Sequence, residues 1–357
     1  MAEFEIKFFD KKKINDKFEE YVLGIDIGGT NTNLCIAGVK EKKPVFLYSL
    51  NFHTENLNSI IPAVKKTLDF SIKKYNIKIE KACIGAPGIV SSDNKSADLT
   101  NISWNVKSDE IIDNTALRSV YILNDFQIIG YGLNFLKNDK KEDILTIKKG
   151  EKTKNQTKAI IGPGTGFGKT ILSFNKENDL YLPLKSEGGH ADFPIRNSYE
   201  LELTKFVKDF RKIKNPITYE ELLSGRGIKN IYYFLRSKNK EENSQISKEI
   251  DNSKEKAELI SKYKDKDIIC SETFKLFTKF LSRSLKNFSH KTMATGGLYI
   301  AGGIASKNKE IFRKDYFLNE FENAYKRSDV LKNIPIYLIK NYDVSIFGAC
   351  LCAILEM

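Results

Sequence analysis

The chain has 357 residues, enough for about two domains at roughly 150 residues each. Hydrophobic residues at 41% and charged residues at 29% exclude a disordered chain and match an ordinary globular composition. The net charge is +12, but the lysines interleave with acids, as in Lys40-Glu41-Lys42-Lys43, and no arginine cluster or aromatic-plus-basic motif occurs; no nucleic-acid partner is expected, and the charge suits an anionic nucleotide substrate.

Residues 1–20 alternate short apolar pieces with charges and read as an N-terminal extension or edge segment. Tyr21 to Ile27 reads as a buried strand, Gly28-Gly29-Thr30 forces a turn, and Asn33–Val39 and Val45–Phe52 are the next two strands. Leu57, Ile60, Ile61, Val64, Leu68 and Ile72 recur at helical spacing. Ala82–Ala86 is a strand stopped by Pro87-Gly88; after a polar segment, Val120–Leu123 is another, giving the order βββαβαβ.

The second half repeats that order. Lys158–Ile161, Thr170–Phe174 and Leu180–Leu184 form a second meander, with the glycine-rich turn Gly162–Gly168 between the first two. Helical patterns follow at 198–214, 219–237 and 268–289, with lysine- and glutamate-rich residues 237–268 read as a solvated loop plus helix. Leu298–Ala301 and Pro335–Ile339 are strands, and Val344–Leu355 is a closing helix. That helix is the longest nearly uncharged apolar stretch and falls short of the roughly 18 residues that span a bilayer. The acidic start is unlike a signal peptide, and the five cysteines form no CxxC pair; free buried thiols in a cytoplasmic protein with no membrane partner are expected.

The expected architecture is therefore two α/β domains with a cleft between them, residues 21–124 plus 344–357 and residues 125–343. In each, a glycine turn joins the first two strands, where bare backbone N–H groups can approach an anion. Asp26, before Gly28, Gly29, Thr30 and Asn31, is placed to hold Mg²⁺ through water. The turn lacks a P-loop lysine, and a strand rather than a helix follows it, which argues against P-loop and Rossmann sites. Gly164, Thr165 and Gly166 make the second candidate phosphate turn. Asn124-Asp125 ends a strand, where Asp125 suits either a general base or a helix cap. Glu187 and His190 flank two glycines and pair an acceptor with a donor, as sugar hydroxyls require; Glu220 reads on its own as N-terminal helix charge.

Asp26-Ile-Gly-Gly-Thr30, Leu123-Asn-Asp-Phe126, Gly162-Pro-Gly-Thr-Gly166, Glu187-Gly-Gly-His190, Glu220-Glu-Leu-Leu-Ser-Gly225 and Ile300-Ala-Gly-Gly303 occur in one order. From about Tyr21 to the C-terminus that order resembles the bacterial-type glucokinases of the hexokinase/actin-like ATPase superfamily. Thr100-Asn-Ile-Ser-Trp104 is similar to the family's sugar-proximal segment. The resemblance implies a two-domain actin-like, ribonuclease H-like fold and ATP-dependent phosphorylation of the glucose 6-hydroxyl. It implies Asp125 as base, with Asn101, Asn124, Glu187, His190 and Glu220 around the sugar. It further implies that the two glycine turns meet the phosphates of ATP, that Gly302 and Gly303 lie against adenosine, that Mg²⁺ bridges the phosphates, and that the chain is a homodimer. A kinase of another hexose or of an N-acetylhexosamine and a non-catalytic sugar-responsive regulator are the alternatives. Arg226 stands where the family pattern has proline, and no cysteine between Cys83 and Cys270 supplies the zinc cluster of the related repressor/kinase family.

Overall fold

The computed structural model describes residues 3–137, 140–151, 153–238 and 244–357. The chain forms two compact units, Met1–Lys137 with Asn175–Leu184 and Asn341–Met357, and Asn138–Phe174 with Lys185–Lys340.

The first unit opens with β1 (Glu5–Phe8), β2 (Tyr21–Ile27), β3 (Asn31–Lys40) and β4 (Lys43–His53), followed by α1 (Ile61–Tyr75) and β5 (Lys81–Ala86). A small antiparallel sheet comes next, of β6 (Gly88–Val90), β7 (Ser96–Leu99) and β8 (Val106–Lys107). Then follow α2 (Ser108–Asn114), β9 (Ser119–Asn124) and α3 (Asp125–Gly132). The main sheet runs β1-β4-β3-β2-β5-β9, with β2, β5 and β9 parallel and the rest antiparallel. Both faces are covered, which is why β2 reads as an unbroken apolar run. Leu23, Ile25 and Ile27 join one core with Ala63, Val64 and Leu68 of α1. Val22, Cys35 and Ala37 point the other way, into a core with Ile346, Ala349 and Cys350.

Residues 1–20 take the edge reading, since β1 pairs antiparallel with β4 from Glu5↔Asn51 to Phe8↔Tyr48. Two sequence expectations change here. The α1 helix begins at Ile61 rather than Leu57, with Pro62 in its first turn, where a missing N–H costs nothing. The polar segment after Pro87 holds β6 to β8 and α2, closed over a buried Trp104.

The second unit contains β10 (Ile144–Lys148), β11 (Lys158–Pro163) and β12 (Phe167–Asn175); β13 (Leu180–Leu184) returns to the first. Helices α4 (Ser198–Arg211), α5 (Gly225–Lys238), α6 (Gln245–Asn252), α7 (Lys256–Tyr263) and α8 (Ile268–Thr292) follow. After them come β14 (Gly297–Ile300), α9 (Gly303–Lys307), α10 (Asp315–Glu322), α11 (Ser328–Asn333) and β15 (Ile336–Ile339). The chain ends in the first unit with α12 (Val344–Leu355). Within the second unit the sheet runs β10-β15-β14-β11-β12. The hairpin β11–β12 is antiparallel, and β14 and β15 add in parallel. The segment β3-β2-β5-β9 of the first sheet thus has the connectivity of β12-β11-β14-β15 in the second.

Helix α3 lies in the first unit, past the boundary expected after residue 124, because it packs tightly on α12. A Cβ on Gly348 would sit 1.7 Å from Ile128 O, and one on Gly132 would sit 1.8 Å from Val344 O. Only glycines permit that approach. In the second unit, α8 is tied by Arg283, whose guanidinium donates in fork fashion to Glu200 at 2.7 and 2.8 Å and to Glu320 at 3.0 Å. The segment expected to be solvated packs Ile250 and Ile260 into this unit's core; residues 239–243 lie outside the described residues. All five cysteines are buried free thiols.

Candidate active site

In parallel sheets of this kind, ligands gather beyond the carboxyl ends of the strands. Asp26 stands at that end of β2, in register with Gly85 of β5, and Ala86 of β5 is in register with Asn124 of β9. Asp26, the Pro87-Gly88 turn and Asn124-Asp125 therefore share one edge of the first sheet. The Asp26 carboxylate accepts a hydrogen bond from Ser345 Oγ at 2.6 Å. Burial pushes its carboxyl above the usual carboxylate range, partly offset by that hydroxyl. The turn that follows is closed by Gly28 N–H donating to Asn31 O at 2.9 Å and braced by Thr54 Oγ1 donating to Gly28 O at 2.7 Å. Gly29 and Thr30 at its tip are exposed, and a Cβ on Gly29 would meet nothing within 4 Å.

Asn124, not Asp125, caps α3. Its side chain accepts from Phe126 N–H at 2.9 Å, and Gln127 returns the contact to the Asn124 N–H, a capping box. Asp125 is the first helical residue, its carboxylate at the positive end of the helix dipole. Asn124 Nδ2 also donates to Gly88 O at 3.4 Å, and Thr100 N–H donates to Pro87 O at 2.8 Å, which brings the Asn101 turn beside Asn124. Asn101 is exposed in the left-handed conformation, φ 61°.

In the second unit the predicted residues form one cluster around the β11–β12 turn. Gly164 N–H donates to Gly166 O, and Gly164 O accepts from Gly225 N–H, each at 2.9 Å. Thr165 lies exposed at the tip. Gly302, at φ 92°, passes so close that a Cβ would lie 2.5 Å from Pro163 O; Gly303 starts α9 beside it. Gly189 runs against Phe167 O with no room for a side chain, and Glu220 N–H donates to Gly189 O at 3.1 Å.

Glu220 does not begin a helix. The N–H groups of Tyr219 and Glu220 are drawn to Ala191 O and Gly189 O, so residues 219–224 form a turn and α5 starts at Gly225. The Glu220 carboxylate accepts from Phe167 N–H at 3.0 Å and from Arg226 Nη2 at 2.7 Å. Glu187 and His190 flank a short 3₁₀ turn with largely exposed side chains, 3.9 Å apart and too far for a hydrogen bond. Behind that turn Lys169 is buried over the rings of Tyr219, Phe167 and Phe288, and burial pushes its ammonium down to about 7.

A lone carboxylate at Asp26 fits a cation held chiefly by water and phosphate oxygens, the habit of Mg²⁺. Among the described residues no group of three or more His, Cys, Asp or Glu could form a closed metal cage. Nor is any described helix long and apolar enough to cross a membrane.

The glucokinase family model matches residues 23–355. The chain belongs to the glucokinase family. The glucokinase of Nostoc punctiforme is 32% identical over 93% of this chain and 98% of its own length, and that of a Synechocystis strain is 29% identical over 92% and 96%. Among solved structures, a glucokinase from an Antarctic psychrotroph aligns at TM-score 0.74 with 22% identity over 94% of this chain and 98% of its own. A Balamuthia mandrillaris glucokinase in complex with glucose aligns at 0.77 with 20% identity, covering 94% and 93%. A ROK family glucokinase from Streptomyces griseus, in complex with glucose and AMPPNP, aligns at 0.62 with 17% identity, covering 92% and 98%. The two mixed sheets therefore have the glucokinase and ROK fold of the actin-like ATPases. The family makes this chain an ATP-dependent hexose kinase of the glucokinase type.

Three residues that brace the candidate residues carry no motif in the sequence. Ser345 lies 319 positions from Asp26 and is brought to it by α12. Thr54 reaches the glycine turn through the β3–β4 pairing, Asn31↔His53. Arg226 stands out in sequence only as a replaced proline, and its partner Glu220 emerges from the fold.

Proposed function

We propose that this chain transfers the γ-phosphoryl group of ATP to the 6-hydroxyl of D-glucose, with Asp125 as general base and the two units as its two domains. The supporting observation is the place of Asp125: first residue of α3, at the carboxyl edge of the sheet, with Asn124 at the N-cap position and one Asp125 carboxylate oxygen accepting from Phe126 N–H at 2.9 Å. Asp125 accepts the hydroxyl proton as the sugar oxygen forms its bond to the γ-phosphorus and the bond to the bridging oxygen breaks, releasing ADP. Asn101, Asn124, Glu187, His190 and Glu220 hold the sugar hydroxyls. The turns at Gly28–Asn31 and Gly164–Gly166 present N–H groups to the phosphates, and the bare backbone of Gly302-Gly303 admits adenosine. Asp26 holds Mg²⁺ through water, and the ion supplies neutralisation of phosphate charge when bound. The chain works as a homodimer in the cytoplasm, a reducing compartment suited to its five free thiols.

The test is a coupled assay for glucose 6-phosphate with Mg²⁺-ATP and glucose, run beside Asp125→Ala. Loss of the base lowers kcat by about 10²–10⁴ while glucose binding by calorimetry is kept. Near-normal turnover in the variant refutes the base assignment. A panel of hexoses and N-acetylhexosamines, read as kcat/KM, tests the sugar.

A further inference from the structure

Arg226 occupies the first turn of α5, where a cation opposes the helix dipole. Its position there needs another cause, and two consecutive carboxylates provide it. Nη2 donates to Glu220 Oε1 at 2.7 Å, and Nε lies 3.3 Å from Glu221 Oε1 without the alignment of a hydrogen bond. Glu221 is itself anchored, since Asn230 Nδ2 donates to its backbone carbonyl at 2.8 Å and reaches its carboxylate at 3.4 Å. The other Glu220 oxygen accepts from Phe167 N–H. Glu220 is therefore held on both oxygens, one by the second glycine turn and one by a guanidinium, and its side chain is only 16% exposed. Each carboxylate oxygen accepts two hydrogen bonds, so one acceptor position per oxygen remains for a ligand.

We propose that Arg226 is a positioning residue for hexose recognition: it locks the Glu220 carboxylate in one orientation, with its remaining acceptor positions set for adjacent hydroxyls of a pyranose. The inference rests on the assignment of Glu220 to the sugar. Without the clamp Glu220 regains rotamer freedom, and the sugar must restore that order on binding. The loss falls on glucose binding rather than on phosphoryl transfer, because Arg226 acts only through Glu220.

The experiment compares Glu220→Gln, Arg226→Ala, Arg226→Lys and the Arg226→Ala/Glu220→Gln double variant in the full-length enzyme, reading kcat and both KM values. Arg226→Ala is expected to raise the glucose KM about tenfold while kcat stays within about threefold and the ATP KM is unchanged. Arg226→Lys restores part of the affinity, since an ammonium can donate to Oε1 but lacks the planar fork. The double variant binds glucose no worse than Glu220→Gln alone, the signature of two residues acting through one contact. A wild-type glucose KM in Arg226→Ala beside an impaired Glu220→Gln overturns the clamp and keeps the sugar assignment. A wild-type glucose KM in Glu220→Gln overturns the assignment beneath it. If Arg226→Ala does not fold, Arg226→Gln gives the same reading: a raised glucose KM supports the clamp, and a fall in kcat at unchanged KM refutes it.

Discussion

The two glycine turns have the same place in their sheets but are braced by different chemistry. The first is held by neutral groups: the Thr54 hydroxyl on Gly28 O, the Thr54 N–H on Thr30 O, and the Ser345 hydroxyl on neighbouring Asp26. The second is held by charge: Glu220 accepts from Phe167 N–H and is balanced by Arg226. Among the described residues no cation bridges Asp26. A half-buried carboxylate without a counter-charge is costly and suits a site that receives a cation with its substrate. A carboxylate already balanced has little to gain from a metal and suits neutral hydroxyls. On the proposed roles, both turns meet phosphate, the first beside a carboxylate that receives a metal and the second beside a carboxylate that holds sugar.

Removing the two carboxylates gives the sharpest contrast. Glu220→Ala strips the acceptor from Phe167 N–H and from Arg226, and should lower the unfolding free energy by about 2 kcal/mol. Asp26→Ala removes a desolvated charge and should leave stability at neutral pH unchanged or raised, while ATP-dependent turnover falls. Urea denaturation of both variants decides the matter: equal losses would erase the distinction between the turns. A smaller effect separates the glycines. A Cβ on Gly166 would lie 2.8 Å from Glu220 Oε2, a group held on two sides, so Gly166→Ala should cost about 1.5 kcal/mol. Gly29→Ala meets open space and should stay within about 0.5 kcal/mol.

How far the sequence reveals this depends on the range of the interactions. Strands β2, β5, β11 and β14 are legible because burial on both faces writes them as apolar runs, and α12 because all sides of it are covered. Gly189 and Gly302 are legible because close backbone approach excludes side chains there, whereas Gly29 and Gly164 of the two glycine turns lie in open space. The turn at 219–224 is not legible. Its residues suit a helix, and only the tertiary carbonyls of Gly189 and Ala191 draw their N–H groups away. The β6–β8 sheet is hidden because its strands run only two to four residues each. Ser345 and Thr54 are generic hydroxyls whose partners lie 319 and 26 positions away, beyond any local pattern.

The neutral bracing can be broken directly. Thr54→Val keeps the shape of the side chain but removes the hydroxyl that donates to Gly28 O and pairs with Thr32 Oγ1 at 2.9 Å. The expected loss is about 1 kcal/mol, with a weaker effect on the glucose KM than on the ATP KM. Equal changes in both would mean that the first turn does not face the nucleotide.

The gentlest probe is pH. Because burial raises the Asp26 carboxyl above its value in the unfolded chain, the folded protein binds that proton more tightly. The stability Asp26 contributes is thus present below the unfolded value and is lost as pH rises through the folded one. Ser345→Ala removes the hydroxyl that favours the ionised form, so the folded value rises further and the window of loss widens upward. Activity moves with the opposite sign, since the ionised carboxylate is the form that receives a cation. In Ser345→Ala the acid limb of kcat/KM for ATP should shift to higher pH, with the plateau little changed. An acid limb that does not move would detach Asp26 from the nucleotide and leave Ser345 as a structural tie between α12 and β2.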